Sequence, residues 1–93
     1  MFAMSILGNN DPEYIAAHKH SSRHRKELET STLCGCFHCL AEFPPSAIQQ
    51  WTDDEQTALC PKCEIDSVIG DASGFPVDRQ FLTWMNDHWF AAK

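Results

Sequence analysis

Long apolar runs are missing from this 93-residue sequence, so it holds no candidate transmembrane helix. Met1 to Leu7 is mildly apolar but lacks the charged start, the full-length apolar core and the cleavage site of a secretory leader. The expectation is a cytoplasmic protein without a membrane association. No glycine-rich phosphate loop, nucleophile–base pair or paired-carboxylate motif is present, which removes the common enzyme classes. Internal repeats and low-complexity stretches are absent as well. Basic residues are scarce beyond the first quarter of the chain: from Glu27 to the end there are three, against eleven acidic ones. A body of that charge should be repelled by a phosphate backbone, so nucleic acid is an unlikely partner.

What the chain does have is a concentrated set of thiols. All five cysteines lie between Cys34 and Cys63, as Cys34-Gly-Cys36-Phe-His-Cys39 and, twenty residues later, Cys60-Pro-Lys-Cys63. Two Cys-x-x-Cys turns at this separation are a four-thiolate zinc pattern. Each turn presents two sulfurs on one side, and two turns brought together close a tetrahedron. The assigned ligands are Cys36, Cys39, Cys60 and Cys63, holding one Zn²⁺. Four thiolates leave no open coordination position, so the site is expected to be structural. Disulfides would need an oxidising compartment. A redox dithiol at Cys60–Cys63 would need a βαβ unit around it, and none is visible. Cys34 could compete with Cys36, but it reads better as a small apolar residue beside the site. His38 is expected to face solvent or to bond its own turn.

The length indicates one domain over 1–93. Chains below about 70–80 residues rarely stabilise themselves by a core alone, and this one is little larger. A structural zinc adds on the order of 10–16 kcal/mol of apparent binding free energy, enough to decide whether the centre folds. Formal net charge is −6, and four thiolates with one zinc make it more negative by two.

In chain order, Asp11-Pro12-Glu13 reads as a helix start, with Asp11 as N-cap. The spacing predicts a basic helix over 11–29, weakest at Ser21-Ser22. It carries Lys19, Arg23, Arg25 and Lys26, with His18, His20 and His24 among them. Arg23–Glu27 and Arg25–Glu29 are possible i,i+4 pairs. Its apolar stripe, Tyr14, Ile15, Ala17 and Leu28, looks too thin to bury it. The zinc module spans 34–70. Within it, Ile48 to Thr52 and Thr57 to Cys60 read as a hairpin across Asp53-Asp54-Glu55-Gln56. Ile65, Val68 and Ile69 fall at helical spacing, although so short and β-branched a run also suits a strand. An aromatic helix over 78–91 closes the chain. Asp78 is its cap, Val77 and Leu82 form a hydrophobic staple, and Phe81, Trp84, Met85, His88 and Trp89 make a stripe expected to lie in the core. The fold class is α+β.

Cysteine turn, hairpin, second cysteine turn and short helix follow the order of a treble-clef zinc finger. Cys36 to Gly70 resembles that architecture, which includes the scaffold of the HNH endonucleases. The chain is also similar to small bacterial proteins, described only as cytoplasmic, that share the pieces Cys36–Cys39, Phe43–Pro45, Trp51, Cys60–Cys63 and Asp66–Asp71. The first resemblance implies a fold and, in the nuclease case, metal-dependent hydrolysis. Such a nuclease needs a histidine base in the first hairpin strand, and Ile48 to Thr52 has none. No histidine lies anywhere between Cys39 and His88. The function expected is therefore a non-enzymatic zinc-stabilised interaction module. Its partner would be a protein, or a second copy of the chain, met through the basic helix over 11–29. The alternatives are an HNH-like nuclease relative and a nucleic-acid-binding finger.

Overall fold

The structure, a computed structural model, describes residues 12–90. The cap expected at Asp11 and the last residue of the helix expected over 78–91 lie outside them. Among the described residues no helix is long and apolar enough to cross a membrane.

Strand β1 (Cys34–Cys36) is the middle of a three-stranded antiparallel sheet, between β2 (Glu42–Phe43) and β5 (Val68–Gly70). Cys34 lies opposite Phe43 on one side and Gly70 on the other. Strands β3 (Trp51–Thr52) and β4 (Thr57–Ala58) form a separate hairpin. Alternation along β1 sorts the core into two layers. Cys34, Cys36 and Val68 face one cluster with Leu28, Phe43, Ile48, Ala58 and Cys60. Ile69 faces the other, with Ala17, Phe37, Val77, Phe81, Leu82 and Met85.

The run expected as a short helix after Cys63 is strand β5. Its N–H and C=O groups pair with β1 instead of closing a turn, and Phe37 N donates to Ser67 O at 3.0 Å just beyond the ladder. Both Val68 and Ile69 are fully buried, one on each face, as a strand between two layers requires.

The basic segment is not one helix. It consists of α1 (Glu13–Ala17), a 3₁₀ turn over His18–Ser21 and α2 (Arg25–Glu29). Ser22 between them is extended and Arg23 has φ +47°. The break has a tertiary cause. Arg23 N donates to Thr57 Oγ1 at 2.7 Å and His24 N to Gln56 O at 2.8 Å, so the β3–β4 hairpin takes the N–H groups a continuous helix would use. Nor is the segment unburied: Ala17, Ser21, His24 and Leu28 are all covered. Arg25 keeps the expected pair with Glu29 at 3.0 Å, donates to Glu55 O at 3.0 Å and lies over the Trp51 ring. The pair expected between Arg23 and Glu27 does not form, since Glu27 bonds His20 Nδ1 at 2.9 Å.

Helix α3 (Arg79–Trp89) packs on the second layer, its start fixed by Asp78 Oδ1 accepting from Phe81 N at 2.8 Å. Its buried face is Phe81, Leu82 and Met85. The aromatic stripe expected in the core is therefore rotated, with Trp84 and Trp89 at 49% and 38% exposure. The tilt follows from Gly35. A Cβ there would come within 2.8 Å of both Leu82 Cδ1 and Val77 Cγ1, so the bare glycine lets the helix settle on β1 through Leu82.

Candidate metal centre

The two cysteine turns share one backbone design. In the first, Leu40 N donates to Cys36 O at 2.8 Å and Cys36 N to Ala41 O at 2.9 Å. In the second, Glu64 N donates to Cys60 O at 2.9 Å and Cys60 N to Ile65 O at 3.0 Å. The residue after each second cysteine is left-handed, Leu40 at φ +67° and Glu64 at +66°. The first sulfur of each pair is cradled by its own turn. Cys36 Sγ accepts from His38 N and Cys39 N at 3.3 and 3.4 Å, and Cys60 Sγ from Lys62 N and Cys63 N at 3.3 and 3.5 Å.

Pairing of β1 with β5 sets the turns face to face. The sulfurs of Cys36, Cys39, Cys60 and Cys63 all lie within 4.8 Å of one another. Two of the separations, Cys36–Cys63 and Cys39–Cys60, are 3.7 Å. Sulfurs bound at about 2.3 Å to a shared tetrahedral ion stand about 3.8 Å apart, so the donor set fits such an ion. These four residues are placed to hold one metal ion. Cys34 is not among them. It lies on the same face of β1 as Cys36 but one pleat repeat away, roughly 6.6 Å along the strand. His38 is exposed and meets the Phe90 ring edge-on at 4.6 Å between centroids.

Electrostatics divide the thiols. Burial pushes Cys34 up to about 12, with Asp71 adding to it. Burial also raises Cys36 and Cys63, in Cys36 against the bonds from Ser67 and its own turn. Burial acts upward on Cys60 too, but the N–H groups of Cys63 and Lys62 and the Cys39 and Cys36 thiols hold it below its ordinary value. A bound cation reverses this logic by favouring thiolate throughout the set.

Two supporting residues have no motif to announce them. Buried Ser67 stands with Oγ 3.0 Å from Cys36 Sγ. Asn86 of α3 donates from Nδ2 to Phe37 O and His38 O at 3.1 and 3.0 Å, pinning the first turn from outside. Both depend on which elements meet. The only local clue is that Ser67 is a small polar residue set in an apolar β-branched run.

Fold and cluster together define a small α+β protein in which four cysteines are placed to hold a metal ion. No protein-family model matches the chain, and no curated protein or solved structure is significantly similar to it.

Proposed function

We propose that this protein is a non-enzymatic interaction module, stabilised by one zinc ion at Cys36, Cys39, Cys60 and Cys63, that docks an acidic protein surface through its basic N-terminal segment. The observation that carries the zinc reading is the convergence of four sulfurs within 4.8 Å, two of their separations at the tetrahedral edge. Zinc is favoured because an all-thiolate tetrahedral set suits it and, with no open position, leaves it structural. The treble-clef likeness is supported by the sequence of turn, β3–β4 hairpin and second turn. It departs where strand β5 stands in place of the short helix.

The docking surface is Lys19, Arg23 and Lys26. These exposed side chains line a shallow cleft of about 190 Å³ together with Ser22, Gln56, His24 and the His20–Glu27 pair, whose carboxylate is already bonded, on a protein whose net charge is −6. Opposite charge would steer an acidic partner to this face.

Elemental analysis tests the zinc reading. One equivalent per chain is expected, and a chelator should lower the melting temperature by well over 10 °C, since each kcal/mol lost moves a domain of this size by about 4–8 °C. Metal-free protein of unchanged stability would sink it.

A further inference from the structure

The four sulfurs of the cluster are not equivalent. Cys36 and Cys60 are buried, and each accepts two N–H bonds from its own turn. Cys36 also meets the Ser67 hydroxyl. Cys63 is half-buried. Cys39 is exposed, and among the described residues no backbone N–H bond reaches its sulfur. Hydrogen bonds to a thiolate stabilise its charge and lower its basicity, and nucleophilicity falls with basicity. Bonding and access therefore act in the same direction. Among the four, Cys39 is the residue that combines exposure with a sulfur to which no backbone N–H bond is seen among the described residues.

We propose that Cys39 is a modification site, the thiolate that hydrogen peroxide oxidises first, with Cys60 as its resolving partner and loss of the metal as the outcome. The inference rests on the zinc reading above. In the first step the Cys39 sulfur attacks one peroxide oxygen. The O–O bond breaks, hydroxide leaves, and Cys39 becomes a sulfenic acid, oxidised by two electrons. In the second step the Cys60 thiolate, 3.7 Å away, attacks the Cys39 sulfur. An S–S bond forms and a second hydroxide leaves. Two thiolates and one peroxide have then become one disulfide and two hydroxides. Only Cys36 and Cys63 remain as thiolate donors, too few to retain a structural zinc. The fifth cysteine is an internal control, because Cys34 is fully buried and shielded from solvent.

The test uses full-length zinc-loaded protein. Sub-stoichiometric iodoacetamide followed by peptide mass mapping reads which sulfur reacts first, and the expected site is Cys39, with Cys34 unmodified. Graded hydrogen peroxide with a chromogenic chelator reads zinc release, which should rise together with a Cys39–Cys60 disulfide. Cys39→His supplies a nitrogen ligand in place of the reactive sulfur, and peroxide should release its zinc about tenfold more slowly. A first adduct at Cys36, Cys60 or Cys63 overturns the proposal, and so does release from Cys39→His at the wild-type rate. If that variant cannot hold zinc, the adduct map on wild-type protein decides alone. Protein that takes up no zinc on reconstitution overturns the zinc reading and this inference together. Zinc-loaded protein with its first adduct elsewhere overturns the inference only.

Discussion

His24 is fixed in one protonation state by what surrounds it. Its Nδ1 lies 2.6 Å from His20 O, which only accepts, so the hydrogen sits on Nδ1. Its Nε2 must then accept, and it does so from Ala58 N at 3.0 Å. A second proton would set two donors against each other in a residue that is 4% exposed. Burial holds the pKa below the ordinary value and His20 adds to that, while the bond to the His20 carbonyl and the charges of Glu27 and Asp66 oppose it. The folded state thus binds this proton less readily than the unfolded chain. The resulting stability is complete above about pH 6.5 and is lost progressively as pH falls below it. Melting temperature should be flat from about pH 8 to 7 and decline toward pH 5.5. His24→Gln, which can still accept from Ala58, should show a shallower decline over the same interval. Equal slopes for the two proteins would refute the assignment. Cys34 is the second residue with a definite expectation. It lies outside the cluster, so Cys34→Ser should retain one metal per chain by elemental analysis. Its buried hydroxyl should cost about 1–3 kcal/mol in urea unfolding. Loss of metal from that variant but not from Cys36→Ser would move the ligand assignment by one cysteine.

At the scale of elements, the contact between α3 and β1 depends on one missing side chain. Gly35→Ala would place a methyl group 2.8 Å from Leu82 and Val77, both buried, so the helix must shift or its side chains must leave their rotamers. Overpacking of this kind typically costs about 1–3 kcal/mol, measurable by urea unfolding, with the metal retained. A neutral result would show that α3 rides on the sheet more loosely than the distances imply. The same elements show what the sequence discloses and what it withholds. The Asp78 cap, the β3–β4 turn and the pairing of the cysteines are signals written within a few residues, and each was readable. The break at Ser22 and Arg23 was not, because the acceptors that cause it, Thr57 Oγ1 and Gln56 O, lie more than thirty residues downstream. Two serines marked the weak point without showing what would exploit it. Strand β5 was ambiguous for a similar reason. Ile65, Val68 and Ile69 satisfy helical spacing, and only the pairing of Val68 with Cys36 across the sheet selects the extended form. The stripe on α3 is legible in part: Phe81 and Met85 are buried, whereas Trp84, His88 and Trp89 are exposed and Leu82 is buried in their place. Aromatic content drew the stripe through Trp84, whereas the contact with Gly35 directs Leu82 inward. Asn86 has no local signal and Ser67 only a faint one, a polar residue in an apolar run, since the backbone and sulfur they bond belong to another element.

For the whole molecule, the cluster joins parts that hydrogen bonding leaves separate. One turn ends β1 of the three-stranded sheet and the other follows β4 of the hairpin, so a bound ion would fasten the two sheets together. The N-terminal segment reinforces that join from outside. His24 and Arg23 bond the hairpin while Leu28 packs into the cluster that holds Cys36 and Cys60. Deleting residues before Thr30 would therefore remove core side chains along with surface charge, and cannot test docking cleanly. Charge reversal can. Lys19, Arg23 and Lys26 are exposed, and among the described residues the one ion pair they make, Arg23 with Asp54, is 4.0 Å long between well-exposed groups. Such a pair contributes at most about 1 kcal/mol. The triple variant Lys19→Glu, Arg23→Glu and Lys26→Glu should keep its metal and melt within a few degrees of the parent. An immobilised short oligo-glutamate peptide serves as the acidic probe and duplex DNA as the competing surface. The parent should be retained by the acidic peptide more than by DNA, because its acidic body is repelled along an extended phosphate backbone but not by a short acidic segment seated at one face. Retention should weaken as salt brings the Debye length below about 8 Å, and it should vanish in the triple variant. Sedimentation of the two proteins at low salt tests self-association by the same face, with any parent dimer expected to dissociate on reversal. Tighter retention by DNA would transfer the segment to nucleic-acid recognition. Indifference of both probes and of the mass to reversal would leave the basic segment a structural strap.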